Sequence, residues 1–225
     1  MTISRIWETA SSTNAGNMYV STAANLGDLF LFVTIANNTS NTGGFLTPSS
    51  NVTQIAADST TGTQFYYAIV TASGTFTCSF INSADNVIGI ALAQYRSSLG
   101  SCTIETKLIE GGGPASSYTL PTITAQYNSD WYVLLNGSEI GNANMYISSI
   151  SPAGLTEQAS QGAPNTGINS SEYVQLYDTN GVVAAAGSQP TYALTYSASG
   201  KFYLGQIIIT EGVPLATTVP LVMII

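Results

Sequence analysis

The sequence predicts an all-β protein, an antiparallel β-sandwich of the jelly-roll kind, and three observations predict it. The apolar segments are short and rich in β-branched and aromatic residues. Several of them alternate apolar and polar residues with a period of two, and none carries the 3.6-residue apolar stripe of an amphipathic helix. A chain of 225 residues is also long enough to bury a core without a metal or a disulfide.

Four strands are predicted in the first half of the chain. They span residues 29–35, 65–70, 75–80 and 87–95. The run 29–35 is continuously apolar, as expected for a central strand that is buried on both faces. Strict alternation in 75–80 places Cys78 on the same face as Phe76 and Phe80, towards the core. Gly89 indicates a bulge or a close approach within the fourth strand.

An internal repeat predicts that the fold is built from two related halves, about 1–110 and 115–212. Asp130 follows Asp28 by 130 − 28 = 102 residues, and an apolar strand follows each of them. Strands like those of the first half recur at 173–177, 190–196 and 202–209. We expect both halves to form a single sandwich over 1–212, because neither half alone can cover its apolar strands. Two small domains are the alternative.

The Gly-rich stretch 110–114 is expected to lie between these halves. Further along the chain, the local structure of 178–181 and of 182–187 each has two possible interpretations. Asp178-Thr179-Asn180-Gly181 could offer oxygen ligands to calcium, but a turn is favoured because the fuller ligand set of a calcium loop is missing. The Asn-Gly pair is typical of a hairpin turn, so 182–187 is expected to continue as a strand and not as a helical turn.

The charge composition argues against nucleic acids and membranes as partners. Charged residues make up 7% of the chain, against about 25% in ordinary globular proteins. The only basic residues are Arg5, Arg96, Lys107 and Lys201, against twelve acidic residues, for a net charge of −8. Four scattered cations cannot form the basic patch that phosphates or anionic lipids require. The N-terminus has no signal-peptide pattern, and the apolar runs are too short to span a bilayer.

Catalytic chemistry has few candidate groups in this chain. The absence of histidine excludes the Ser–His–Asp and Cys–His arrangements, and no phosphate-binding or dinucleotide-binding motif is present. Paired carboxylates remain, and the candidates are Asp28, Glu105, Asp130, Glu139, Glu157 and Glu172. Asp28 and Asp130 each precede a strand, where an aspartate usually accepts hydrogen bonds from the local backbone. We therefore expect no enzymatic activity, no cofactor and no metal.

The two cysteines are expected to be structural. Cys78 and Cys102 are far apart in the chain and do not have the close spacing of a metal site. Buried free thiols are favoured over a disulfide between them, which is the alternative.

The segment 213–225 is the strongest functional indication in the sequence. It contains two prolines, which disfavour a helix and a central strand, and its last five residues are all apolar. We expect it to extend onto a neighbouring subunit or into a groove of its own sandwich. The residues expected to make inter-subunit contacts are Val213, Pro214, Leu221, Val222, Met223, Ile224 and Ile225.

The pattern of residues 27–33, 66–80 and 88–96, with a weaker echo at 129–135, resembles a β-sandwich domain of tailed-phage structural proteins and bacterial surface proteins. The resemblance implies a jelly-roll-like fold and a role in a virion, as a capsid decoration (cement) protein or a tail-associated subunit. It implies no catalytic residues. The expected partners are other virion proteins and further copies of the chain, for example in a trimer. The alternative is a carbohydrate-binding or adhesin module at an extracellular surface.

Overall fold

The computed structural model describes residues 3–13, 17–37, 46–81, 87–140, 145–162, 171–183 and 185–212. Within these ranges the chain is an antiparallel all-β sandwich, which confirms the predicted fold class. No helix in the described ranges is long and apolar enough to cross a membrane. The segment 213–225, with all seven residues expected to make inter-subunit contacts, lies outside the described residues.

The described ranges contain sixteen strands, several of them as short as two residues. In chain order they are β1 (Ile3–Thr13), β2 (Asn17–Ala24), β3 (Leu29–Asn37), β4 (Thr47–Pro48), β5 (Thr53–Asp58), β6 (Thr63–Ile69), β7 (Gly74–Ile81), β8 (Val87–Ser97), β9 (Cys102–Thr119), β10 (Thr124–Ala125), β11 (Trp131–Ile140), β12 (Ile147–Ser151), β13 (Thr156–Gly162), β14 (Ser171–Asp178), β15 (Gly187–Ser188) and β16 (Ala193–Glu211).

The same strand order occurs twice. In the first half, one sheet has the order β1-β8-β3-β6-β5 and a second has the order β2-β7-β4. In the second half, the first part of β9 and the later part of β16 take the places of β1 and β8, beside β11, β14 and β13. The end of β9 and the start of β16 pair with each other, and β12 completes that smaller sheet. The two halves are therefore related, as the repeat predicts, and their strand order is compatible with a jelly roll.

Two local expectations differ from the structure. The Gly-rich stretch lies inside β9, where Gly111 and Gly112 pair with Tyr203 and Phe202. The reason is that β9 is one long strand that takes the places of both β1 and β2 of the first half. The described residues of 182–187 are mostly bends, and only Gly187 joins the short strand β15. The turn at 178–181 is confirmed, since Asn180 has a φ of 50° and donates its backbone N–H to Asp178.

Three hydrophobic clusters fill the spaces between the sheets. One lies between the two sheets of the first half and contains Phe76, Cys78 and Phe80, as their alternation predicts. A second cluster lies within the second half. The third contains residues of both halves, including Leu31 and Val133, and fills the space between the two large sheets. Alternate residues of β3 enter different clusters, which explains why 29–35 is apolar at every position except Thr34. Both cysteines are buried and free.

The two large sheets approach each other closely at glycines of the second half. A Cβ atom at Gly137 would overlap the side chain of Thr63, and one at Gly205 would lie 3.0 Å from the ring of Phe65. Phe65 also stacks on Tyr203, with their ring centroids 5.1 Å apart. These glycines therefore set the separation of the sheets. The assignment of 1–212 to a single domain stays a prediction.

Gly137→Ala is expected to destabilise the protein by about 1–3 kcal/mol, because the new methyl group must displace a packed, β-branched neighbour. Urea denaturation followed by tryptophan fluorescence measures the change. Adding Thr63→Ala removes two of the three overlapping atoms and should recover part of the loss. An unchanged unfolding midpoint for Gly137→Ala would show that the sheets are not held at this distance.

Candidate functional site

The two halves are joined on one side by a buried ion pair. Arg5, on β1, donates from Nη1 to both carboxylate oxygens of Asp178, at the end of β14, at 2.9 and 2.8 Å. Tyr95 donates its hydroxyl to the same carboxylate at 3.0 Å, and Gln158 donates its side-chain amide at 3.0 Å. Asp178 is fully buried. The strands β1 and β8 of one half thus lie against β13 and β14 of the other, and we call this the closed side.

The protonation states on the closed side fit this arrangement. Burial and the neighbouring Asp178 carboxylate hold the pKa of Tyr95 well above its ordinary value, so the hydroxyl keeps the proton that it donates. Burial lowers the pKa of Arg5, but the hydrogen bond and the charge of Asp178 outweigh it and leave that pKa raised. Every group around the carboxylate therefore remains a donor.

The repeat identifies the residues that take the equivalent places on the opposite side. Arg5 pairs with Tyr95 in the first half, and Ile104 pairs with Ile209 at the matching place in the second half. Ile104 therefore corresponds to Arg5. By the same comparison of registers, Tyr67 corresponds to Asp178 and Ile55 to Gln158. The hydrogen-bonded polar side chains of the closed side are thus replaced on the opposite side by apolar and aromatic side chains.

Two cavities lie in the gap between β5 and β6 of the first half and β9 of the second, where these apolar residues are. We call this gap the groove, and this side of the molecule the open side. One cavity, of about 280 Å³, is lined by Ile55, Tyr67, Ile69, Thr103, Ile104, Glu105 and Lys107. The other, of about 380 Å³, is lined by Asp58, Thr60, Thr61, Gly111, Gly112, Gly113, Lys201 and Tyr203. The groove therefore has an apolar part near the start of β9 and a more polar part near its glycines.

A pair of carboxyl groups lies beside the apolar part of the groove. Glu105 occupies a β-bulge in β9, between two residues that pair in register with β16. Both of its carboxyl oxygens are buried. Desolvation and the neighbouring Asp130 raise the pKa of Glu105 to about 7. At pH values below about 7 the carboxyl group of Glu105 is therefore mainly protonated and uncharged.

Three of the other carboxylates that the sequence offered as catalytic candidates accept hydrogen bonds from neighbours of their own. Asp28 is buried, accepts a backbone N–H from Asn25 as expected, and also forms a bidentate ion pair with Arg96 at 2.7 and 2.8 Å. Asp130 accepts a backbone N–H from Tyr127, and its second oxygen has no hydrogen-bond partner among the described residues. Glu157 accepts hydrogen bonds from Gln175 and Tyr177.

The remaining two carboxylates, Glu139 and Glu172, face each other in the register of β11 and β14, and the side chain of Glu172 lies outside the description. Among the residues that the structure describes, no group of three or more acidic or cysteine side chains is placed to hold a metal ion.

Sequence reasoning did not find the groove. Its lining residues come from the neighbouring strands β5 and β6 and from β9 and β16, which lie much further along the chain. The signal that could have found it lies in the repeat itself, at positions where the two halves differ in chemistry, such as Arg5 against Ile104. Of the tyrosines predicted to lie in strands, Tyr67 and Tyr203 are only partly buried, and both line the groove.

Comparison of the chain with protein-family models, with curated proteins and with solved structures found no match. The resemblance to phage and bacterial surface domains therefore stays a prediction from the sequence.

Asp178→Asn is expected to destabilise the protein by about 1–3 kcal/mol, because a neutral amide at this buried position accepts fewer and weaker hydrogen bonds from Arg5, Tyr95 and Gln158 than the carboxylate does. Glu8→Gln is the matched control, since it removes the second, exposed carboxylate partner of Arg5 and should cost under about 1 kcal/mol. Chemical denaturation of both variants measures the difference. Equal costs for the two substitutions would contradict the closed side as the fastening between the halves.

Stability should fall as the pH rises through the pKa of Glu105. The folded-state pKa, about 7, lies above the ordinary value of 4.5, so the folded state binds the proton more tightly than the unfolded chain. The contribution is fully present below about pH 4.5 and is lost as the pH passes 7. Denaturation at pH 5 and pH 8 measures it. Glu105→Gln should flatten the pH dependence, and an unaltered profile in that variant would refute the assignment.

Proposed function

We propose that the protein is a non-enzymatic structural subunit that works through protein–protein contacts on the exterior of a virion, as a capsid decoration or tail-associated protein. The observation that carries the proposal is the open groove between the two halves, which are fastened together on their opposite side. Such a groove has an apolar wall and is accessible from solvent. These are the properties of a docking surface for a polypeptide.

The charge distribution supports uncharged contacts as the mode of recognition. Arg5 and Arg96, half of the basic residues of the chain, form ion pairs with the buried carboxylates of Asp178 and Asp28. Only Lys107 and Lys201 remain as further cations, and both lie at the groove. A surface dominated by hydroxyl, amide and apolar groups binds through shape, hydrogen bonds and burial of apolar area, which suits contacts between subunits.

The partner that best fits these contacts is a further copy of the same chain, joined in turn to other proteins of the particle. The segment 213–225 supplies the apolar contact residues, with Leu221, Val222, Met223, Ile224 and Ile225 as its most apolar part. Residues with such side chains are stabilised when they are buried against another apolar surface.

A carbohydrate-binding or adhesin function is the second candidate, and the polar cavity favours it. Tyr203 offers a partly exposed ring there, while Asp58, Thr60 and Lys201 offer polar groups around it. Burial would raise the pKa of Asp58, but hydrogen bonds from Thr60 and Thr61 outweigh it and leave that pKa lowered, so the carboxylate is charged at neutral pH. Selective binding on a glycan array that Tyr203→Ala abolishes would favour this function over the first.

The solution mass of the protein tests the structural function. The full chain should form a defined oligomer, and a chain shortened after Gly212 should have the mass of one subunit, 23.4 kDa less the removed segment. The control replaces Thr217 and Thr218 by serine, which leaves the apolar residues 221–225 unchanged. Sedimentation or light scattering gives the masses. A shortened chain with the oligomeric mass of the full chain would overturn the proposal that this segment joins the subunits.

A further inference from the structure

We propose that the groove on the open side is the receptor for segment 213–225 of a second copy of this chain. The inference rests on the proposed function and makes it specific, because it names the surface on which the segment docks. Each copy then offers one groove and one segment, so copies join head to tail and close into a ring where the rotation between them allows it.

The chemistry of the groove matches that of the segment. Ile55, Tyr67 and Ile104 are partly buried against the cluster shared by the two halves, and Ile69 is 37% exposed. They form an apolar wall that suits the five apolar residues 221–225. The polar cavity further along β9 suits the less apolar middle of the segment, Ala216-Thr217-Thr218.

The length of the segment also matches the groove. The groove follows β9 from Thr103 to Gly113, which is 113 − 103 = 10 residue steps, or about 33 Å at the rise of an extended strand. The segment after Gly212 has 225 − 212 = 13 residues, or about 43 Å when extended. It can therefore fill the groove and still leave a few residues to cross between subunits.

The direction of the chain at Gly212 favours a second copy over the chain's own groove. Glu211 pairs with Cys102, and Gly212 donates its backbone N–H to Ser101 at 2.9 Å. Because β16 runs antiparallel to β9, the chain at this point leads past the beginning of β9 and away from the groove.

Backbone hydrogen bonding gives the docked segment a second source of affinity. In the described part of the chain, β5 and the first part of β9 are edge strands of the two large sheets, so one side of each has backbone groups available to an added strand. Residues 221–225 contain no proline and keep all of their donors, whereas Pro214 and Pro220 cannot donate. All five residues of the apolar end can therefore donate to the edge strand.

Cross-linking between two variants of the full chain tests the inference. One variant carries Ile69→Cys, in the groove, and the other carries Met223→Cys. The native thiols should not compete, since Cys78 and Cys102 are buried and burial raises the pKa of each to about 12. Mixing the two variants under mild oxidation should give a disulfide-linked pair of chains.

Ile81→Cys is the matched control. The exposed fraction of Ile81, 44%, is similar to the 37% of Ile69, but Ile81 lies on β7, away from the groove. Equal cross-linking of Met223→Cys to both positions would overturn the inference. A cross-link confined to one chain that carries both Ile69→Cys and Met223→Cys would also overturn it, because the segment would then occupy its own groove.

A charge in the groove gives an independent readout. Ile69→Lys should raise the concentration needed for association at least tenfold, while Ile81→Lys should leave it unchanged, with the folding of both checked by their unfolding midpoints. If shortening the chain abolishes the oligomer but neither Ile69 variant behaves as expected, the segment docks elsewhere, so the inference fails and the proposed function stands. If shortening has no effect, the proposed function fails.

Discussion

The ion pair between Arg5 and the buried carboxylate of Asp178 fastens the two halves of the molecule on one side. Removing a carboxylate from water is costly unless it is fully hydrogen-bonded, and Asp178 satisfies this condition only when residues of both halves surround it. The pair therefore favours the one relative position of the two halves in which all of these donors reach the carboxylate. The equivalent position on the other side has apolar residues, which impose no such condition, and a groove remains there.

The repeat explains both the symmetry of the fold and its asymmetry. The strand order, Asp28 and Asp130, and the β-bulges before Trp7 and after Ile104 recur in both halves. Two identical halves would give the molecule two identical sides. The difference between the closed side and the open side must therefore come from positions at which the halves differ. Substitutions at a few matched positions supply it, because they close one side with charge and leave the other open.

The sequence predicted the β-sandwich and the buried face of β7 because both depend on local periodicity, which a single strand displays. It predicted the repeat because similar segments recur 102 residues apart. It did not predict the ion pair, since Arg5 and Asp178 are 173 residues apart and no local pattern relates them. The bulge at Glu105 is one extra residue in a long strand, and hydrophobic alternation does not reveal it. The function expected for 213–225 came from composition alone, and the groove is the site at which we propose that the segment binds.

The central claim is that the two sides of the molecule differ, with the open side reserved for a neighbouring copy. Amide hydrogen exchange of the full chain, measured below and above the concentration at which it associates, tests this most directly. The account predicts that association slows exchange in β5 and β9 and leaves β1 and β13 unchanged. Equal protection of both sides, or protection of β1 and β13 alone, would contradict it.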